Sequence, residues 1–575
     1  MDRNLLLAIV LSVAIIVGFQ HFFQAFSPPQ TPGKKVPPTS ESTKETRPTQ
    51  APPQIDKDRT AVVQEKPSET TAPHRVVRPL LDGAQVPAKD VKIKIDGPRY
   101  EAVLSSIGGR IVSFKLKNYK MSLEGNELIN LFDQDGPDTA GPSIVLTTRD
   151  ETFSDAALGY RFDEQDSLVT LTEKGSLKSI TMRATTSAGL TISKTLTFHA
   201  ETYLVDFSFT LTNNSVEDRN YLVTFPWRKV YRGEGEVRFA WNSSEILLNG
   251  ELKDYYFKDI KGDEEPSGRV EWAGLGDVYF FKALVFGKNP AGKVTLVKPS
   301  NDGIAEILVR YGAVDLPAGR PTETNLAVYL GPKDREALEA AGNNLSQALI
   351  YSNYKLLDMM SEYLMKFLRF SNSGFKILGL TIPGTHNYGI DIIFLTIIIK
   401  ILFIPLTHKS MKSMKRMQDL QPQIAKIKEK HKDDKAAINK ATMELFRDQK
   451  VNPLGSCWPM FLQIPVFIAL YQALSYAIEL RHAPFICLPS IYLCINDLSA
   501  PDPYYVTPIL MGGTMVLQQW MTPSAGDPMQ KKMMLMMPVI FTYMFLSFPS
   551  GLVLYWLVSN VLSIGQQVIT NKMAK

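Results

Sequence analysis

The 575-residue chain is poor in the residues that build metal centres, with three cysteines and seven histidines. Cys457, Cys487 and Cys494 show none of the paired spacings used for zinc or haem, and the histidines are scattered, so no metal site is expected and no cofactor is assigned. A GxxxxGKS or GxxxxGKT sequence is missing, which removes the usual phosphate cradle of nucleotide-driven machines. The formal charge of +5, from 63 basic and 58 acidic residues, is too small for this length to argue for nucleic acid by itself. Paired carboxylates or a histidine pair at a recognisable spacing are also lacking. We therefore assign no catalytic residue and expect no enzyme.

Long apolar runs are what the chain does have. Asn387 to Leu406 reads NYGIDIIFLTIIIKILFIPL, about twenty residues, and at ~1.5 Å per residue this matches the ~30 Å hydrocarbon core of a bilayer. Lys400 sits inside the run, with Thr396 one helical turn before it. A lysine near mid-membrane costs roughly 2.5–3.5 kcal/mol and ordinarily faces water or a partner. Four more apolar segments follow, about 453–478, 504–521, 533–548 and 551–569. Their polar side chains, Gln463, Gln518, Gln519, Ser559 and Asn560, the latter two near Trp556, fit either a polar groove or ordinary hydrogen bonds between spans. Apart from Asp391 near one end, no acid lies within the spans.

The rest of the chain divides by composition. Residues 1–26 read as an uncleaved transmembrane signal anchor, since Phe23 spoils a cleavage site after Ala25. Residues 27–90 are rich in Pro, Thr, Ser and charge and read as a disordered linker. Residues 91–345 alternate apolar and polar positions, as in Tyr203 to Asn213, and predict a large antiparallel β-sandwich. Within 346–386, Leu356, Met360, Tyr363, Leu364 and Phe367 recur at helical spacing, predicting an amphipathic interfacial helix and connector. Residues 387–575 form the helical membrane core.

Charge orients it. Residues 408–450 carry twelve Lys/Arg against six Asp/Glu, whereas the loop from Leu480 to Pro503 has Arg481 as its one base. The first is then cytoplasmic, the second external, both termini are cytoplasmic, and the sandwich is periplasmic. Residues 408–450 predict a cytoplasmic helical hairpin in which Met411, Met414 and Met417 offer an adaptable apolar stripe beside Lys412, Lys415 and Arg416, suited to anionic lipids or ribosomal RNA. In the external loop, Cys487 and Cys494 are close enough in sequence to form a disulfide or to remain two buried thiols.

Several stretches carry a resemblance. Val451-Asn452-Pro453-Leu454-Gly455, Gln463-Ile464-Pro465-Val466-Phe467, Asp497-Leu498-Ser499-Ala500 with Asp502-Pro503-Tyr504-Tyr505, and Phe548-Pro549-Ser550-Gly551-Leu552-Val553-Leu554-Tyr555 occur in the order and spacing of the YidC membrane protein insertases. The anchor, sandwich and amphipathic helix resemble the long Gram-negative form. The resemblance implies a multi-domain membrane protein: a periplasmic all-β super-sandwich and a core of five transmembrane helices, preceded by the N-terminal anchor. It implies a groove open to the cytoplasm and to lipid, lined by Thr396, Lys400, Gln463, Gln518, Gln519 and Trp556, with Lys400 where the family usually has Arg. It further implies nascent membrane proteins as substrates, the ribosome and the Sec translocon as partners, residence in the bacterial inner membrane, and no small-molecule substrate. Two other readings remain at this point: an ion- or solute-coupled transporter using Lys400, and a sugar-binding or sugar-modifying sandwich anchored by the helices.

Overall fold

The computed structural model describes residues 89–132, 139–172, 174–230, 242–287, 289–299, 304–352, 354–377, 380–431, 434–449, 451, 458–488, 493–521 and 528–573. The expected anchor, nearly all of the linker, and Asn452–Gly455 of the first shared motif lie outside the described residues.

Strands run from Lys92–Asp96 to Pro321–Pro332 and form a 5-stranded and a 14-stranded sheet. Period-two alternation produces them. Leu190–His199 buries Leu190, Ile192, Lys194, Leu196 and Phe198 and turns the intervening residues outward. It pairs antiparallel with Leu204–Asn213, setting Leu196 opposite Phe207 and Ile192 opposite Leu211. The two sheets share one core: Tyr100 of the smaller sheet meets Phe198 of the larger at 6.4 Å between ring centroids, and Phe132 meets Trp227 at 6.3 Å. This is the face-to-face packing of a sandwich. The turn before Arg110 is made by Gly108 and Gly109, both at positive φ. A Cβ on Gly109 would lie 2.8 Å from the Met182 sulfur, so only glycine fits.

The helices follow in order: α1 Arg335–Ala341, α2 Lys355–Ser373, α3 Tyr388–Asp419, α4 Gln421–Lys430, α5 Lys435–Asp448, α6 Trp458–Tyr476, α7 Val506–Met521, α8 Pro528–Phe545 and α9 Ser550–Met573. Among the described residues, Tyr388–Met417 and Ser550–Thr570 are long and apolar enough to cross a membrane, while Leu462–Tyr476 and Leu535–Phe545 are shorter apolar stretches.

Two elements differ from the sequence expectation. The membrane helix does not stop at His408 but continues as α3 to Asp419, so Met411, Met414 and Met417 belong to its extension, and the hairpin itself is α4 and α5. No breaker intervenes until Pro422, which opens a new helix because proline fits the first turn and disfavours helix before it. In α2 the expected apolar face divides. Leu356 and Tyr363 are exposed, Met360, Leu364 and Phe367 are half-buried against the helical core, and the deepest burial falls on Leu357, Ser361, Met365 and Leu368. The buried side is set by packing on α6, where Ser361 Oγ donates to the Ala469 carbonyl at 2.8 Å.

Sandwich and helical core are joined through the end of α6. Ile478 packs into the sandwich core and Leu480 into the helical core. Tyr279 Oη donates to the Ser475 carbonyl at 3.2 Å, Arg335 pairs with Glu362 at 2.8 Å, and Arg369 pairs with Glu479 at 3.1 Å.

Candidate functional site

The polar side chains of the helical core gather along α9. Asn560, Ser563, Gln566 and Gln567 recur every three or four residues, which on a helix confines them to about a third of the circumference. Each reaches a different neighbour. Lys400 Nζ donates to Ser563 Oγ at 2.7 Å, and Gln566 Nε2 donates to Thr407 Oγ1 at 2.8 Å, forming a seam between α9 and α3. Asn560 Nδ2 donates to Thr514 Oγ1 at 3.1 Å, and Gln567 Nε2 to the Met521 carbonyl at 2.9 Å, forming a second seam with α7. Toward the sandwich end, Gln463 Nε2 of α6 donates to Tyr555 Oη.

Lys400 is half-buried, and among the described residues no ion pair reaches it. Asp391, the acid nearest in sequence, is fully buried and already accepts from Ser371 Oγ at 2.5 Å, Asn372 Nδ2 at 3.0 Å and Thr385 Oγ1 at 2.7 Å. An interhelical hydrogen bond in a membrane averages about 0.6 kcal/mol and one donated by an ammonium is about twice as strong, against roughly 2.5–3.5 kcal/mol for placing the lysine there. Ser563 therefore offsets only part of the cost.

The expected groove residues do not converge on one point. Thr396 is fully buried and its Oγ1 donates to the Ile392 carbonyl at 2.6 Å. Helix geometry brings a threonine hydroxyl within reach of the carbonyl four residues earlier, and close packing against neighbouring helices completes the enclosure. Trp556 stacks into an aromatic cluster, 5.0 Å from Phe467, 5.3 Å from Phe545 and 6.2 Å from Phe541. It lies about 10 Å along α9 from Ser563. Gln518 and Gln519 are half-buried on α7. On the α3 extension, Met411, Met414 and Met417 are half-buried and Lys412, Lys415 and Arg416 exposed, with Met417 packed on Leu420, Ile424 and Val451. Cys487 and Cys494 face each other in a hairpin and are bonded, with Cα atoms 3.9 Å apart. Sequence reasoning missed Ser563, Gln566, Gln567, Thr407, Thr514 and Tyr555. The three- and four-residue spacing of polar positions in the last apolar run was the available signal for those on α9.

Comparison with known proteins agrees with this architecture. Residues 380–575 match the 60Kd inner membrane protein family and residues 92–366 the YidC periplasmic domain. Fold and site thus define a multi-domain inner-membrane protein whose β-sandwich is a periplasmic domain carried on apolar helices. The membrane protein insertase YidC of Citrifermentans bemidjiense is 38% identical over 578 residues, covering 100% of this chain and 99% of its own. That of Geobacter sp. (strain M21) is 41% identical over 491 residues, covering 84% and 86%. The chain belongs to the YidC family of membrane protein insertases. A solved structure of an active YidC insertase with its first transmembrane domain resolved covers 84% of this chain and 93% of that one at 17% identity and a TM-score of 0.36. Membrane protein insertion is accordingly the function class, and the family is not one of classical enzymes.

Proposed function

We propose that the two seams of α9 bound a hydrated groove, open to the cytoplasm, through which the polar part of a nascent membrane protein passes part way across the bilayer. The observation that carries this reading is Lys400, half-buried within a helix of membrane-spanning length and held by one hydroxyl, Ser563. Its uncompensated cost favours water or an acidic substrate segment beside it. Gln463, Gln518, Gln519 and Trp556 line the same passage in this proposal, while Thr396 supports the fold of α3. The substrate's apolar helix leaves sideways into lipid, driven by partitioning. α7 and α8, at 16 and 18 residues, extend about 24 and 27 Å and so favour a locally thinned bilayer.

Around this passage we infer a core of five transmembrane helices preceded by the N-terminal anchor, with both termini in the cytoplasm. The α3 extension and the α4–α5 hairpin receive the substrate first, with Met411, Met414 and Met417 supplying adaptable apolar contact and Lys412, Lys415 and Arg416 meeting the ribosome or anionic lipid. Action alone and together with the Sec translocon both fit this arrangement.

The test is photocrosslinking from positions 563 and 556 to a ribosome-bound nascent membrane protein. Adducts should appear as the first substrate span emerges and vanish once it is inserted. No adduct at either position, with small-solute uptake by the same protein in liposomes, would overturn the reading in favour of transport.

A further inference from the structure

The contact between sandwich and helical core also fixes the height of one sandwich loop. α6 has 19 residues, about 28 Å long, close to the thickness of bilayer hydrocarbon, and Arg481 follows shortly after its last residue, Tyr476. Arg481 Nη1 donates to the Lys120 carbonyl at 2.8 Å and Nη2 to the Met121 carbonyl at 3.0 Å. Its guanidinium also lies 5.9 Å from the ring centroids of Tyr279 and Phe280. At the other end of the same connection, Tyr504 and Tyr505 are exposed just before α7, the position at which amphipathic rings mark a membrane–water interface.

The loop so held follows strand Arg110–Lys120. Met121 N donates to the Glu127 carbonyl at 2.8 Å, and Gly125 N donates to Ser122 Oγ at 3.0 Å, closing a tight hairpin end. Met121 and Leu123 on it are 51% and 47% exposed. Two exposed apolar side chains would mean little elsewhere on a surface. Here they continue the contact between the sandwich and helices that cross the membrane.

We propose that this hairpin end is a lipid-seating element: Met121 and Leu123 enter the headgroup boundary of the leaflet on the sandwich side and hold the sandwich against it. The proposal rests on the membrane-spanning reading of α6 and is independent of how substrate passes. Lys120 is outweighed by Glu124 and Glu127 in the same loop, so seating comes from apolar burial and does not require anionic lipid.

The test uses the full chain with Cys457→Ser, carrying a nitroxide at Leu123→Cys or at Val216→Cys, in liposomes. Val216 is 95% exposed. It follows Leu204–Asn213 at the end of the sheet where Thr212 faces Pro321, whereas Phe280 at the joint faces Pro332, a strand length of about 36 Å away. The label at 123 should collide several-fold more with dissolved oxygen, relative to an aqueous nickel chelate, than the label at 216, in purely zwitterionic lipid and equally with anionic lipid added. Equal ratios at the two positions would overturn the proposal by placing the loop in water. Protection from both reagents at 123 would overturn it in favour of a covering protein or second copy. A high ratio with anionic lipid alone would overturn the apolar basis.

Discussion

Two lysines withdrawn from bulk water contrast the two regions of this molecule. Lys194, in the sandwich, is fully buried and lies 2.5 Å from the equally buried Asp155. Its ammonium donates to the carbonyls of Gly108 at 2.8 Å, Pro142 at 3.3 Å and Gly109 at 3.4 Å. Asp155 in turn accepts from Tyr160 Oη at 2.9 Å and Ile144 N at 2.8 Å. Burial pushes the Lys194 ammonium below the ordinary lysine value, and Asp155 opposes that shift. Lys400, in the helical core, has Ser563. A buried charge enclosed by partners locks a fold, whereas one left with spare donors is available to something that comes and goes.

Removing the partner should break the contrast most strongly in the sandwich. Lys194→Met leaves Asp155 buried without its cation and should cost about 3–5 kcal/mol, read as a lowered midpoint of the sandwich transition in denaturant unfolding. A loss under 1 kcal/mol would mean that the pair is not sealed from water. Lys400→Glu should instead leave unfolding nearly unchanged and reduce insertion of substrates with acidic translocated segments by roughly tenfold, about 1.4 kcal/mol, with neutral segments affected less. Equal rates for acidic and neutral segments would remove the electrostatic role. Ser563→Ala sharpens the comparison, since losing one ammonium-donated hydrogen bond of about 1 kcal/mol should lower insertion roughly fivefold with no change in fold.

A titrating sandwich group gives a comparably small effect, read in stability and not in insertion. Burial, and then the facing Glu245, raise the Asp254 carboxyl from 3.8 to about 7, and Lys333 opposes them. Because the folded value lies above the unfolded one, the folded state is favoured by this group below pH 3.8, and that contribution is lost as pH rises through 7. Asp254→Asn should remove about 1 kcal/mol of pH dependence between pH 4 and 8, a figure reduced for its partial exposure. Parallel pH profiles for the two proteins in thermal unfolding would count against it.

The same contrast shows what could be read before folding. In Leu190–His199 the alternation puts Lys194 in the row of Ile192 and Leu196, so its inward direction was legible; Asp155, on another element, was not. Lys400 stood out because a charge interrupts an apolar run, yet Ser563 lies 163 residues away. Thr396 shares a helical face with Lys400 and still ends enclosed, because neighbouring helices cover that part of α3. The bond between Cys487 and Cys494 followed from two strands pairing in register, which spacing alone left open beside the free-thiol reading.

By itself the sequence determined the sandwich, the apolar helices, the cation inside one of them and the basic hairpin, because strand alternation and helical repeat are set by local backbone geometry. Tertiary structure alone decided that α9 carries the polar seams, that Ser563 holds Lys400, and that Arg481 ties a sandwich loop to the end of α6. Those outcomes depend on which faces of distant elements meet, and close packing of elements far apart in the chain selects among pairings that local pattern leaves equivalent.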